Sequence, residues 1–237
     1  MKSNRNWVRI GAVYILILAG LVAGAFAGSR AVTTMVQMNR QTMRHTLVID
    51  PGHGGEDGGA TSCTGVLESQ INLEISLRLQ DLAQLLGYDT KMIRTTDRAV
   101  YTQGDTLAQK KMSDLKNRVK ICNETPNALL VSVHQNQFSE SRYSGAQVFF
   151  PPENETARQL ASVMQQVLVQ TVNAGSKRQC KKADGVYLME HIQCPGILIE
   201  CGFLSNPEEE ARLRSAEYQK KLCCVIGTVV AAYFAAE

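Results

Sequence analysis

Three short apolar runs in this chain each lead into a side chain that can bind a metal ion or transfer a proton. His53 lies in a glycine-rich turn directly after the first run, His134 ends the second, and Glu200 ends the third. The runs are Leu47–Ile49, Ala128–Val133 and Gly196–Ile199. Such runs are typical of buried strands, and the carboxyl ends of parallel strands meet at one edge of a sheet. We therefore expect these three side chains to lie close together.

Glu68 is expected to join them, because it opens a predicted helix just after the loop that carries His53. Two imidazoles and one carboxylate form the ligand set of many catalytic zinc sites, which leave a fourth position for water. A second carboxylate that does not bind the metal can serve as general base and acid. Asp50 and Asp57 are further acids near the turn, and the spacing does not decide which carboxylate is the ligand. These residues together predict a hydrolytic metal site.

Apolar spacing and capping signals predict the elements that position these residues. The predicted helices cover 67–86, 113–124 with Ser113 as cap, 154–173, and two stretches that follow the caps Asn206 and Ser215. Further strands are predicted over 88–95 and 145–150, and loops over 96–112 and 177–182. Strands that alternate with helices favour an α/β fold, a three-layer sandwich with a mostly parallel sheet.

The N-terminal 28 residues differ in composition from everything that follows. Three basic residues precede Ile10–Gly28, a run without a single charged residue. A run of about this length is enough to span a bilayer as one helix, and the basic flank places its N-terminus in the cytoplasm. Ala25 and Ala27 also fit a signal-peptide cleavage site. Both interpretations, anchor and signal, place the body of the protein outside the cytoplasmic membrane.

We therefore divide the 237 residues into a signal or anchor over 1–28, a tether over 29–44 and one catalytic domain over 45–237. A hydrophobic content of 44% is enough for a sizeable core, and a net charge of +3 does not favour nucleic acid as a partner. The seven cysteines are odd in number and lack the spacing of a disulfide scaffold or a zinc finger. We interpret most of them as small buried apolar residues.

Four motifs, in this order, resemble those of the zinc-dependent N-acetylmuramoyl-L-alanine amidases of the amidase-3 family. They are Asp50–Gly55 (DPGHGG), Glu68 followed by Asn72-Leu73, Ser132–Asn136 (SVHQN), and Ile199–Asn206 (IECGFLSN). The pairs Arg94 with Asp97 and Asp114 with Arg118 also match the pattern of the family between these motifs. The resemblance covers roughly residues 46 to 236, nearly the whole predicted domain.

The resemblance implies that His53, Glu68 and His134 are ligands of Zn²⁺ and that Glu200 is the catalytic carboxylate. It implies a mixed six-stranded sheet between helices, and hydrolysis of the amide between N-acetylmuramic acid and L-alanine in peptidoglycan. Gln135 and Asn136 are then candidate substrate-binding residues.

A finer resemblance points to the germination-specific, CwlD-type subgroup of spore formers. It rests on Gln135 and Gln137, which flank Asn136, and on residues 143–148 (YSGAQV). Members of that subgroup strip the peptide from muramic acid so that muramic δ-lactam can form in the spore cortex. The expected location is then the intermembrane space of the forespore.

Two other interpretations stay open from the sequence. A zinc peptidase or deacetylase that acts on another cell-wall bond would use the same ligand set, and a non-catalytic wall protein would not need Glu200. We see no wall-binding repeats, so we expect targeting through the membrane segment or through an activator or targeting protein.

Overall fold

The computed structural model describes residues 45–236 of the chain. The predicted membrane segment over 10–28 and the tether over 29–44 lie outside the described residues, so these predictions remain untested. Residues 45–236 belong to one compact unit.

The described residues form six strands and six helices. The strands are β1 (Thr46–Pro51), β2 (Asp89–Met92), β3 (Ala128–Asn136), β4 (Gln147–Phe150), β5 (Lys181–Lys182) and β6 (Gly196–Phe203). The helices are α1 (Glu68–Leu85), α2 (Leu107–Asn123), α3 (Glu155–Thr171), α4 (Tyr187–His191), α5 (Pro207–Leu213) and α6 (Ala216–Ala236).

The strands form one sheet in the order β2-β1-β3-β6-β4-β5. All neighbours are parallel except β4 and β6, which run antiparallel. The predicted mixed, mostly parallel six-stranded sheet is therefore confirmed. Since β1, β3 and β6 are adjacent and parallel, their carboxyl ends lie side by side, as the site requires.

Helices cover both faces of the sheet, and each face has its own apolar cluster. One cluster joins α1, α3 and α6 to the sheet, for example through Ile75, Met164 and Ile226, which are fully buried. The other lies under α2 and α4 and includes Cys122 and Met189. Among residues 45–236, α6 alone is long and apolar enough to cross a membrane, but half of that stretch is buried in the core.

Three local predictions were wrong. The stretch 96–112 is not wholly a loop, because α2 begins at Leu107 behind a capping box formed by Thr106 and Gln109. Ser113, predicted as the cap, lies inside this helix with 6% exposure. Lys181 and Lys182, predicted as loop, form the short edge strand β5. Helix α4 was not predicted from the sequence.

A buried ion pair joins α2 to the sheet beneath the site. Arg118 Nη1 lies 2.5 Å from Asp50 Oδ1, and Ser132 donates a hydrogen bond of 2.6 Å to Asp50 Oδ2. Burial acts to raise the pKa of Asp50, but the charge of Arg118 and these hydrogen bonds hold it below its usual value. The pair therefore stabilises the fold above the unfolded-state pKa, and this stabilisation is lost as the pH falls through the folded-state pKa.

All seven cysteines lie among the described residues as free thiols. Cys122, Cys201 and Cys223 are buried, Cys180 and Cys194 are half-buried, and the remaining two are exposed. The expectation that most cysteines are buried holds fully for only three of the seven.

The Arg118→Met substitution should lower the free energy of unfolding by about 3–5 kcal/mol, because it leaves Asp50 charged, buried and without its partner. Urea denaturation of the wild type and the variant at pH 7 measures this loss. Ser132→Ala is the matched control, since it removes one hydrogen bond and keeps the ion pair; a loss of about 1–2 kcal/mol is expected. Equal losses in the two variants would contradict the importance of the pair.

Candidate metal centre

His53 lies at the tip of a strained turn that follows β1. Its φ of 61° is in the left-handed region, which non-glycine residues rarely adopt. Such strain costs about 1–3 kcal/mol and persists only where the surroundings hold the backbone in place. The turn therefore needs support from outside its own residues.

Two buried guanidinium groups supply that support. Arg94 donates hydrogen bonds of 2.9 Å to the carbonyl oxygens of Pro51 and Gly52. It also donates 2.8 Å to the Ser69 carbonyl, which ties the turn to the first turn of α1. From the opposite side, Arg118 donates to the carbonyls of Pro51 and His53 at 3.0 and 2.7 Å. Both guanidinium groups thus converge on the Pro51 carbonyl.

Glu68 is the first residue of α1 and is 3% exposed. Its Oε2 accepts from the Ala60 backbone N–H at 2.9 Å, and its Oε1 accepts from the Gln135 N–H at 3.0 Å. Asn72, one turn along α1, donates 3.2 Å to Oε1 and 3.2 Å to the Gly52 carbonyl. The carboxylate is therefore fixed between the helix, the His53 loop and β3.

The side chains of His53, Glu68 and His134 meet at the carboxyl edge of the sheet. His53 Nε2 lies 3.3 Å from Glu68 Oε2, and His134 Nδ1 lies 2.9 Å from Glu68 Oε1. One donor atom from each residue lies within 4.8 Å of the others. Tetrahedral zinc at about 2.0–2.2 Å from its ligands needs donors about 3.3 Å apart. The two contacts of Glu68 are close to this spacing, so these residue types in this arrangement suit a zinc ion.

Two glycines leave the space in which these ligands pack. A Cβ on Gly52 would lie 2.2 Å from Cε1 and Nε2 of the His134 ring. A Cβ on Gly59 would lie 2.5 Å from Glu68 Oε2 and 2.7 Å from His53 Cδ2. Both contacts are too short for any side chain, so the site requires glycine at both positions.

Asp57 orients the His53 ring instead of joining the donor set. Its Oδ2 lies 3.0 Å from His53 Nδ1, which leaves Nε2 to face Glu68. Burial acts to lower the pKa of His53, but the hydrogen bonds to Asp57 and Glu68 raise it to about 9. A metal ion that binds Nε2 at neutral pH must therefore displace a proton. The second acid left open by the sequence, Asp50, is held by Arg118 and Ser132 below the site.

Glu200 lies opposite His134 in the register of β6 and β3. Its Oε2 is buried and has no hydrogen-bond partner among the described residues. Burial raises its pKa to about 7, with a smaller opposing effect from His134. A buried carboxyl oxygen without a hydrogen-bond partner is costly, so its presence here indicates a function, and a pKa near neutrality suits a group that takes up and releases a proton.

The two predicted substrate contacts occupy different environments. Gln135 is 3% exposed and donates a hydrogen bond of 3.1 Å from Nε2 to Asn72 Oδ1, so it lies behind Glu68 and away from the cleft. The structure therefore gives no support to Gln135 as a substrate contact and places it among the groups that position Glu68. Asn136 is half-buried at the end of β3, and its role stays a prediction.

Comparison with known proteins decides the family. The model of the amidase-3 family, described as N-acetylmuramoyl-L-alanine amidase, matches residues 47–231. The chain belongs to this family. It is therefore a hydrolase of the amide bond between N-acetylmuramic acid and L-alanine in peptidoglycan, and the zinc peptidase, deacetylase and non-catalytic interpretations are set aside.

Relatives of this amidase agree with the finer resemblance. The chain is 35% identical over 189 residues to the germination-specific N-acetylmuramoyl-L-alanine amidase of Bacillus subtilis, which covers 79% of each chain. It is similar to the CwlD amidase of Clostridioides difficile, solved in complex with the GerS lipoprotein. That match has 34% identity and a TM-score of 0.78, and it covers 82% of this chain and 100% of that one. A second amidase from Clostridium difficile 630 matches with 28% identity and a TM-score of 0.70, covering 82% and 98%.

Asp57→Asn should weaken zinc binding by about 10- to 100-fold, because it removes the carboxylate that fixes the orientation of the His53 ring. Competition with a chromophoric chelator measures the affinity, and circular dichroism checks the fold.

Glu56→Gln is the matched control for this variant. Glu56 is the neighbouring acid, but its carboxylate pairs with Lys110 Nζ at 2.9 Å. Zinc affinity should be unchanged in this variant. If both variants lost affinity equally, the effect would come from the local charge and not from the orientation of His53.

Proposed function

We propose that His53, Glu68 and His134 bind a catalytic zinc ion and that Glu200 is the general base and acid of the amidase reaction. The observation that carries this proposal is the placement of a carboxyl with a buried, unpaired oxygen, Oε2 of Glu200, beside three convergent metal donors. A bound zinc ion supplies a Lewis acid that polarises the substrate carbonyl.

Glu200 handles the proton that the reaction must move. Its ionised form takes a proton from the attacking water, and the oxygen of that water forms a bond to the carbonyl carbon. Its protonated form then gives that proton to the L-alanine nitrogen as the C–N bond breaks. This transfer makes the amine a competent leaving group, and a pKa of about 7 allows both steps near neutral pH.

We further propose that this amidase acts in the maturation of spore cortex peptidoglycan. The support comes from the two relatives that match at 34–35% identity, one of them named for germination. Removal of the stem peptide frees the lactyl carboxyl of muramic acid, and that carboxyl is what the formation of muramic δ-lactam requires.

A membrane-associated partner is part of the same proposal. The CwlD relative was solved with a lipoprotein, and the N-terminal run Ile10–Gly28 of this chain is apolar enough for a membrane anchor or a signal peptide. We propose an extracytoplasmic location for residues 45–237, with a lipoprotein as activator or targeting partner.

Mass spectrometry of peptidoglycan fragments tests the reaction. Zinc-loaded protein should release stem peptides that begin at L-alanine and leave matching peptide-free muramic acid. Cleavage at any other bond would contradict the assigned activity. Muramic δ-lactam that appears only after a deacetylase is added would support the role in the cortex.

Glu200→Ala should abolish hydrolysis while zinc content and folding persist, because Glu200 moves the proton and is not a ligand. His53→Ala and His134→Ala should instead lower zinc occupancy. Metal analysis and turnover of the same samples separate the two roles. Full turnover of the Glu200 variant would refute its assignment as base, and unchanged zinc in either histidine variant would remove that histidine from the ligand set.

A further inference from the structure

The edge of the sheet opposite the metal centre carries two adjacent leucines in contact with water. Leu85, the last residue of α1, is 84% exposed, and Leu86 after it is 50% exposed. The metal centre lies at the carboxyl ends of the strands, whereas α1 ends just before β2 begins, at the amino edge. Apolar surface left in water is unfavourable, and the catalytic chemistry at the other edge gives no reason for it.

An aromatic cluster adjoins the two leucines. The Phe234 ring, near the end of α6, stacks on the His45 ring at 5.0 Å between centroids and lies 5.1 Å from the Tyr88 ring. His45 directly precedes β1 and Tyr88 directly precedes β2, so both belong to the amino edge. All three rings are half-buried. We call these three residues together with Leu85 and Leu86 the basal patch.

The composition of the basal patch is typical of a surface that meets a lipid headgroup region. Tyrosine and histidine each present an apolar body and a polar tip. Tyrosine is enriched where proteins cross from water into the bilayer, and leucine is an apolar residue that enters the upper acyl region from membrane-surface helices.

The place of the patch in the chain indicates what covers it. Residues 1–44 join the domain at His45, which is itself part of the patch, and they include the apolar run Ile10–Gly28. If that run is the membrane anchor proposed above, the tether over 29–44 reaches at most about 55 Å when fully extended. A tether of this length keeps the basal patch near the bilayer at an effective concentration of about millimolar. Weak contacts are then enough for docking.

The charge of the tether suits an anionic lipid surface. It contains Arg30, Arg40 and Arg44 and no acidic residue, and basic residues next to a membrane are attracted to anionic headgroups. The acids closest to the leucines in the sequence, Asp81 and Asp89, are exposed and act in the opposite direction. The leucines must therefore supply the contact that holds the domain itself.

We propose that the basal patch docks on the bilayer surface, with Leu85 and Leu86 inserted at the level of the headgroups. This inference rests on the proposed membrane anchor and goes beyond it, because it gives the domain a second contact with lipid. The six residues of β1, at about 3.3 Å each, separate the patch from the metal centre by about 20 Å. Docking therefore directs the metal centre away from the membrane and toward the peptidoglycan.

Tryptophan fluorescence in vesicles tests the docking. Trp7 is the single tryptophan of the chain, so Leu85→Trp in a Trp7→Phe background carries one reporter. The full-length protein is reconstituted into vesicles of phosphatidylethanolamine and phosphatidylglycerol, with or without bromine on the acyl chains near the headgroups. Bromine quenches tryptophan only at short range. The fluorescence of Leu85→Trp should therefore fall in the brominated vesicles.

Leu107→Trp in the same background is the matched control. Leu107 is 69% exposed at the start of α2, and it lines a cavity with His53 at the metal-centre edge. Its fluorescence should be the same in both kinds of vesicle. Equal quenching of the two reporters would overturn the proposed orientation of the domain.

A charge in the patch should release the domain. Leu86→Asp, added to the Leu85→Trp protein, should abolish the quenching, because a carboxylate is disfavoured at the acyl boundary. Val163→Asp is its control, since Val163 is also 50% exposed but lies in the middle of α3; the quenching should persist. Circular dichroism checks the fold of each variant. Quenching that survives Leu86→Asp would overturn the role of the patch.

The remaining outcomes separate this inference from the other proposals. Protein that floats with the vesicles but shows no quenching of Leu85→Trp would overturn the docking and leave the anchor intact. Protein that does not float with the vesicles would overturn both the anchor and the docking. Neither result depends on hydrolysis, so the fragment analysis by mass spectrometry tests the amidase reaction independently.

Discussion

The hydrogen bonds that two guanidinium groups donate to one turn are the constraint on which this site depends. The His53 backbone is in a conformation that the turn alone does not favour. Arg94 and Arg118 hold it from opposite sides through the carbonyls of Pro51, Gly52 and His53. Because each arginine is buried, it loses its water and gains well-placed acceptors in return. The imidazole is thereby aimed at its partners before any metal binds.

Glu68 links the two layers that the site must combine. It stands at the start of a helix on one face of the sheet, and its oxygens meet two imidazoles that leave the ends of β1 and β3. Burial acts to raise its pKa, but its hydrogen bonds with His134 and His53 keep the pKa well below the usual value. A charged carboxylate is therefore present at neutral pH without a metal ion. Glu68 thus fixes α1, the His53 turn and β3 in position relative to one another.

The sequence alone could predict the parts of the fold that depend on local pattern. The runs before His53, His134 and Glu200 are uniformly apolar, so strand ends and their convergence followed directly. The start of α2 was misplaced because Leu107 and Met112 are exposed, which weakened the helical pattern there. The short elements α4 and β5 depend on tertiary packing and backbone pairing, which leave little trace in composition. Likewise, no spacing rule could tell that Asp57 orients His53 while Asp50 pairs with Arg118.

The free thiols described above affect what this domain needs in order to fold. A fold that holds together through its two apolar clusters and buried ion pair has no covalent cross-link to complete. At the extracytoplasmic location proposed above, such a fold would need no thiol oxidase or disulfide isomerase. Reducing and oxidising surroundings should leave the core equally intact, and the exposed Cys63 and Cys224 are more accessible to small oxidants than the half-buried Cys180 and Cys194. The stability of the core should therefore not depend on the redox state of the compartment.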